Sequence, residues 1–443
     1  MPCAWDVLDE KEVMEFAEKY RNFLSECKTE FETVEKSIEF AEKNGFRNME
    51  HVERLESGDK VYWNFRDRMC FFAKIGEKKE RCRIICAHCD SPRIELKVNP
   101  VEEKKDANLG VFKLAYYGGT HAYIWLNRAL ELRGVIYRKG EKIRVHIPGI
   151  IISDLLPHLS GKRMEERKAK EIVRWEELKA LAANRAGEKK DFKKAIYEIL
   201  SERIGIKIGE RDFVRAHLYL VPEEPVKDAG IDKSMLAGYG HDDRACCFAS
   251  LMALIHGENF PENCAVIFVD REEIGSESFS SAKSECVKFF FEMLAEKANL
   301  RISLRRLLID SNGISADVTT ALQPGFEDCF DVQNAPVLGN GVAIERYLAT
   351  AGKYQQNEAS AKYVDYLISV LEKRNIPWQG VVGFSKTDPS LGGGGTISGF
   401  MGRLGMNVID AGIPVIGMHT PMEIISKADL YACYLAYKAF FEE

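Results

Sequence analysis

Three short apolar runs limit what this chain can fold into more than any other feature: "CRIICAH" at 82–88, "CAVIFVD" at 264–270 and "GIPVIGM" at 412–418. Each has the length of a strand rather than a helix, and each is apolar at successive positions instead of every second one. Neighbouring residues of a strand face opposite sides, so such a run needs cover on both. Between them lies "RACCFASLMALIHG" (244–257), a helical pattern, and ahead of them a long helical periodicity runs from Lys11 to Gly45, with "CFFAKIG" (70–76) as a further extended run. Strands alternating with helices predict an α/β fold, a mixed sheet covered on both faces.

The texture changes in the middle. From about Val98 to Asp232 come glycine-punctuated strands, "LAYYGGTHAYIWL", "ELRGVIYRKGEKIRVHIPG" and "AHLYLV", and a charged stretch from about Lys168 to Ile204 that reads as helical. The expected organisation is therefore a catalytic domain in two parts, 1–98 and 233–443, interrupted by an inserted, mainly β assembly domain at 99–232. A chain of 443 residues is long enough for both.

Charge and cysteine usage exclude several function classes. With 62 basic against 68 acidic residues the chain has no broad positive field for nucleic acid. No apolar run reaches the roughly 20 residues that cross a bilayer. The opening "MPCAWDVLDEKEVMEFAEKY" turns acidic early, without a basic segment leading into an apolar one, and so reads as neither secretory signal nor membrane anchor. Twelve scattered cysteines, several inside apolar runs, fit reduced core thiols. The expected location is cytoplasmic.

Chemistry enters at the ends of the apolar runs. "CRIICAHCD" spaces Cys82, Cys86 and Cys89 in a pattern that can cradle an iron–sulfur cluster. On a strand, however, Cys82 and Cys86 stand about 13 Å apart at ~3.3 Å per residue, too far for one cluster. His88 and Asp90 gain from the same geometry, since residues i and i+2 share a face and a carboxylate can orient a metal-binding imidazole. "GHDDR" sets Asp242 and Asp243 before an apolar helix, where acids also serve as ordinary N-terminal caps. "AVIFVDREEIGSES" runs a buried strand into Asp270, Glu272 and Glu273. Acids crowded at a strand's carboxyl end repel one another unless a cation holds them. Asp317 follows another apolar run and His419 lies just past "GIPVIGM", which completes a set of nitrogen and oxygen donors suited to a divalent metal.

Taken in order, "AHCDSPRIELK", "GHDDR", "VDREEIGS", "ISADVTTALQP" and "GMHTPME" resemble the five signature blocks of the aspartyl aminopeptidase family of co-catalytic zinc metallopeptidases, relatives of the tetrahedral aminopeptidases. "YYGGTHAYIWLNRALELRGVI" and "TDPSLGGGGTISG" resemble further blocks, so the likeness spans nearly the whole chain. It implies a dinuclear metal-dependent aminopeptidase that removes N-terminal residues from peptides by attack of a metal-bridging water. Asp242 would bridge two zinc ions (cobalt or manganese also suit the donors), with His88 and Asp317 on one and Glu273 and His419 on the other. Glu272 would be the general base and Asp90 the support of His88. The insertion would serve assembly, as a homo-oligomer up to a tetrahedral dodecamer, and His158 would reach a neighbouring subunit's site. Lys386 and Gly394 are the other candidate substrate-binding residues.

Departures from the family pattern concentrate where substrate choice is made. "GNGVAIERYLAT" carries Glu345 and Arg346 where members preferring acidic N-terminal residues have a lysine, Lys386 and Thr387 replace a usual Arg-Asn, and Asn127 replaces an aspartate. The preference is open between acidic and neutral residues. Two rivals stand beside the peptidase: an iron–sulfur enzyme on Cys82, Cys86 and Cys89, which would be brown and contain iron, and a scaffold of the same fold without activity.

Overall fold

The computed structural model describes residues 3–186, 191–347, 357–383 and 396–443. The chain forms two compact units: Met1–Ser91 with Val226–Met418 and Met422–Glu443, and Pro92–Pro225 with His419–Pro421. The main boundaries lie a few residues earlier than the change in sequence texture suggests, at Ser91/Pro92 and Pro225/Val226.

The first unit is built on a nine-stranded sheet. At its centre, Lys78–His88 runs parallel to both Glu262–Val269 and Asn312–Ser315, and Asn407–Gly412 continues the parallel set. Met69–Lys74 and Val342–Glu345 add antiparallel strands, which makes the sheet mixed. Residues of the central strands divide by parity. Ile85, Ala87, Val266 and Phe268 point into one core with the helices Glu10–Glu26, His241–His256 and Lys427–Glu442. Ile84, Cys86, Ala265 and Ile267 point into the other, against Cys286–Lys297 and Leu304–Ile309. Both faces are dry, as the consecutive apolar positions predict.

That parity also disposes of the iron–sulfur rival. Cys82 and Cys86 lie in one core and Cys89 in the other, so the three thiols are separated by the sheet. All twelve cysteines are free. Burial pushes the Cys82, Cys86 and Cys89 thiols up, away from the thiolate form that ligates iron.

Two local readings of the sequence need correction. The periodicity from Lys11 to Gly45 is two helices, Glu10–Glu26 and Glu30–Lys43. Thr29 restarts the helix with a capping box: its hydroxyl accepts from the Glu32 amide, and the Glu32 carboxylate accepts from the Thr29 amide. The charged stretch 168–204 is not continuous helix either, because Lys179–Ala183 is a strand and, among the described residues there, only Phe192–Ile204 is a regular α-helix.

The second unit is a closed six-stranded barrel, in the order Ala216–Pro222, Arg93–Lys104, Leu109–Tyr117, Lys179–Ala183, Glu141–Ile152 and Ala129–Arg138. Closure leaves no open edge. Arg93 is fully buried between the rings of Tyr117 and Tyr219, at 4.1 and 3.8 Å, and its charge is met by Glu95 at 3.0 Å. Among the described residues, no helix is long and apolar enough to cross a membrane.

The first core carries a measurable keystone. Phe248, on the helix that begins at Asp242's own turn, packs against Phe16, Tyr20 and Phe23 with ring centroids 5.2–5.4 Å apart. Phe248→Ala is expected to lower the unfolding free energy by about 3–5 kcal/mol in a denaturant titration. A loss under about 1 kcal/mol would mean that these helices do not depend on that contact.

Candidate metal centre

Register brings the candidate ligands together. Ser315 pairs with Cys86 and His88 with Val269 across parallel strands, so His88, Asp317 and the turn after Val269 leave the sheet at the same level. Carboxyl ends of parallel strands are where α/β sheets form sites. Asp242 arrives from a different element, the first turn of the helix His241–His256, after Gly240 in the left-handed conformation at φ +82°. A Cβ at Gly240 would collide with the Arg244 guanidinium, so the tight entry requires glycine.

The central group is His88 with Asp242 and Asp317. Nε2 of the imidazole lies 3.1 Å from an Asp242 oxygen and 3.6 Å from an Asp317 oxygen. One donor atom from each of the three lies within 4.8 Å of the others, close enough to share an ion. Asp242 and Glu273 are likewise within 4.8 Å through their carboxylates.

His88 and Asp242 are each held from behind. His88 Nδ1 faces the Asp90 main-chain carbonyl at 3.1 Å and the Asp90 carboxylate at 3.4 Å. The carboxylate has another task as well. Its two oxygens accept from the amides of Glu272 and Glu273, at 3.2 and 3.3 Å. Asp90 thus joins the histidine to the turn that carries both glutamates. Asp242 is fixed through its main chain: its amide donates to Glu423 Oε2 at 3.0 Å, and Ser91 Oγ donates to its carbonyl. The His88 amide donates to Asp243 Oδ2 at 3.2 Å.

The electrostatics show what this arrangement lacks. Burial acts to lower the His88 pKa, but Asp242, Asp317 and Asp90 outweigh it and hold the imidazole well above its ordinary value. The half-buried Glu272 is pushed up to about 8, by burial first and then by Asp317, Asp90 and Asp242 against the opposing His88. Asp243 is pushed up by burial and next by Asp317. One imidazole does not balance this many carboxyls, and their mutual repulsion favours the protonated forms. A divalent cation answers the imbalance, and the mixed nitrogen and oxygen donors fit zinc, cobalt or manganese.

Four candidates remain. His419 clusters with the second unit, where its Nδ1 meets the Gly119 carbonyl at 3.0 Å; in the chain it sits between Pro414–Ile416 and Glu423–Ser426, strands of the first unit's smaller sheet. His158 is exposed on the helix Pro157–Glu166. Lys386 and Gly394 fall outside the described residues. Glu423 and Ser91 were not singled out from the sequence. Their motifs, "TPME" and "CDSPR", lie inside the signature blocks, but only the fold shows them gripping the backbone of Asp242.

A family model described as aminopeptidase I zinc metalloprotease (M18) matches residues 23–441. The chain belongs to the M18 peptidase family. It is 38% identical to a probable M18 family aminopeptidase 1 of Borrelia garinii subsp. bavariensis, over 99% of each chain. The crystal structure of an M18 aminopeptidase from Thermotoga maritima superposes with a TM-score of 0.92 at 34% identity, over 100% of this chain and 99% of that one. Aminopeptidase I from Clostridium acetobutylicum gives 0.90 at 34%, with the same coverage. At 20% identity the likeness extends to the S. cerevisiae mApe1 dodecamer, with a TM-score of 0.75 over 97% and 96% of the two chains. The protein is a metal-dependent aminopeptidase, a hydrolase, and the readings as an iron–sulfur enzyme or an inactive scaffold fall away.

The charge imbalance has a thermal signature. Zinc added to chelator-stripped protein is expected to raise its melting temperature, by a stabilisation of about 2.7 kcal/mol at a hundredfold excess over Kd. Asp317→Asn removes one repelling charge and one ligand. It is expected to melt at or above the stripped wild type without zinc and to gain less from zinc. An equal zinc response in both proteins would take Asp317 out of the site.

Proposed function

We propose that this M18 aminopeptidase works with two divalent ions, zinc in the first place, and releases the N-terminal residue of peptides by activating a shared water. The observation that carries the reading is the convergence of His88, Asp242 and Asp317 on one point, with Glu273 beside Asp242. Asp242, His88 and Asp317 would hold one ion, and Asp242, Glu273 and His419 would hold the other. When bound, the ions supply positive charge that acidifies the water and polarises the scissile carbonyl.

The protein's own groups do the rest. Glu272 takes the proton of the attacking water on its carboxylate and returns it to the nitrogen as the C–N bond breaks, releasing the amine. Asp90 keeps the two adjacent glutamates in separate roles, since each of its oxygens holds one of their amides. Cobalt or manganese in place of zinc would support the same steps.

The reading extends to assembly and setting. The chain forms a homo-oligomer, a tetrahedral dodecamer in line with the fold shared with the S. cerevisiae mApe1 dodecamer. The barrel unit is the assembly domain, and His158 reaches a neighbouring subunit's substrate. Lys386 and Gly394 contact the peptide. The enzyme is cytoplasmic, in keeping with twelve free thiols, ten of them buried.

Glu272→Gln tests the division of labour. The variant is expected to keep both equivalents of zinc and lose about 10²–10⁴ in kcat on an aminoacyl chromogenic substrate. Loss of zinc together with activity would move Glu272 into the ligand set, and full activity would end its role as base. The same assay run over a panel of acidic, neutral and basic aminoacyl groups reads the side-chain preference.

A further inference from the structure

Arg68, Asp270 and Glu30 form a cluster of buried charge next to the metal centre. All three are nearly or fully buried, Arg68 at 4% exposure and the two acids at 0%. Arg68 donates through Nε and Nη2 to Asp270 Oδ2, at 2.8 and 2.6 Å, and Nη2 lies 3.2 Å from Glu30 Oε1. Its guanidinium also sits 5.0 Å from the ring centre of Phe31. Two carboxylates sharing one cation in a dry core make a costly arrangement for stability alone.

Position suggests why it is there. Asp270 is the first residue after the strand Glu262–Val269 and stands two residues before Glu272. Its amide donates to the Ser280 carbonyl at 2.9 Å, and Ser280 Oγ donates to the same Oδ2 that Arg68 holds, also at 2.9 Å. The turn beyond is closed by Ser276 N to Arg271 O and Gly275 N to Glu272 O, both at 2.8 Å, with Arg271 in the left-handed region at φ +65°. Arg68 meets the histidine side through its main chain, because its carbonyl accepts from the Cys89 thiol at 3.6 Å, a thiol that also donates to Val269 O at 3.1 Å. The glutamate turn is therefore gripped at its root by Arg68 and Ser280 and at its amides by Asp90.

We infer that Arg68 is a positioning residue for the reaction: by clamping Asp270 it fixes the root of the turn that aims Glu272. The inference rests on Glu272 being the base. A general base misplaced by about 1 Å can lose on the order of a hundredfold in rate while binding is untouched.

A double-mutant cycle on the zinc-loaded full chain separates clamp from scaffold. Wild type, Arg68→Met, Glu272→Gln and the double variant are compared for zinc content, melting temperature, kcat and KM on one aminoacyl chromogenic substrate. Arg68→Met is expected to lose about ten- to a hundredfold in kcat, with KM and zinc content unchanged, and to cause no further loss once Glu272 is Gln. Arg68→Lys, which keeps the cation but not the two-pronged donor, is expected to fall between. Should Arg68→Met not fold, Asp270→Asn enters the same cycle and is expected to behave alike. The inference is overturned if the factor is equal in both Glu272 backgrounds, if zinc is lost in step with kcat, or if kcat does not change. A fully active Glu272→Gln would overturn the base assignment and the clamp together; an inactive Glu272→Gln with an additive Arg68 loss would overturn the clamp only.

Discussion

Burial of the strand Lys78–His88 on both faces is the constraint from which the site follows. With helices packed on either side and parallel neighbours at both edges, its direction and register have no freedom. A parallel sheet covered in this way ends all its strands toward the same side, so the residues that follow them must meet. His88, Asp270 to Glu273 and Asp317 are those residues. What they form is electrostatically unfavourable by itself, several carboxyls around one imidazole, and the rigid sheet holds them in place. Stability here resides in the apolar faces, and the charged ends draw on it.

The supporting shell has an uneven design that matters for mechanism. The candidate ligands Asp242 and His88 are held mostly through main-chain groups: Asp242 through Glu423 and Ser91, His88 through Asp243 and the Asp90 carbonyl. Such contacts fix where a side chain starts while leaving its donor atoms for an ion, the arrangement a preorganised metal site needs. The glutamate turn differs, being tied by side-chain carboxylates at both its root and its amides. That double tie fixes the backbone of the turn that carries both glutamates.

Much of this was legible in the chain itself. The two-sided sheet followed from "CRIICAH" and "CAVIFVD", whose consecutive apolar residues leave no polar face, and His88, Glu273, Asp317 and His419 stood out as metal candidates because each followed such a run. Other features depended on partners the sequence does not display. The break at Cys27–Thr29 was hidden because the apolar spacing runs through it, and only the Thr29–Glu32 box shows a restart. Lys179–Ala183, "KALAA", is composed of good helix formers and becomes a strand because Leu109–Tyr117 and Glu141–Ile152 supply its hydrogen bonds. The H-x-D spacing correctly put Asp90 beside His88, yet the carboxylate's grip on Glu272 and Glu273 joins residues some 180 positions apart. Long-range pairing of that kind leaves no local pattern to read.

The central claim is that these separate strand ends converge on a pair of metal ions with Asp242 between them. Anomalous X-ray scattering from crystals of the zinc-loaded enzyme, measured on either side of the zinc absorption edge, tests it most directly. The account predicts two peaks flanking the Asp242 carboxylate, one toward His88 and Asp317 and the other toward Glu273. A single peak away from Asp242, or no peak among these residues, would contradict it.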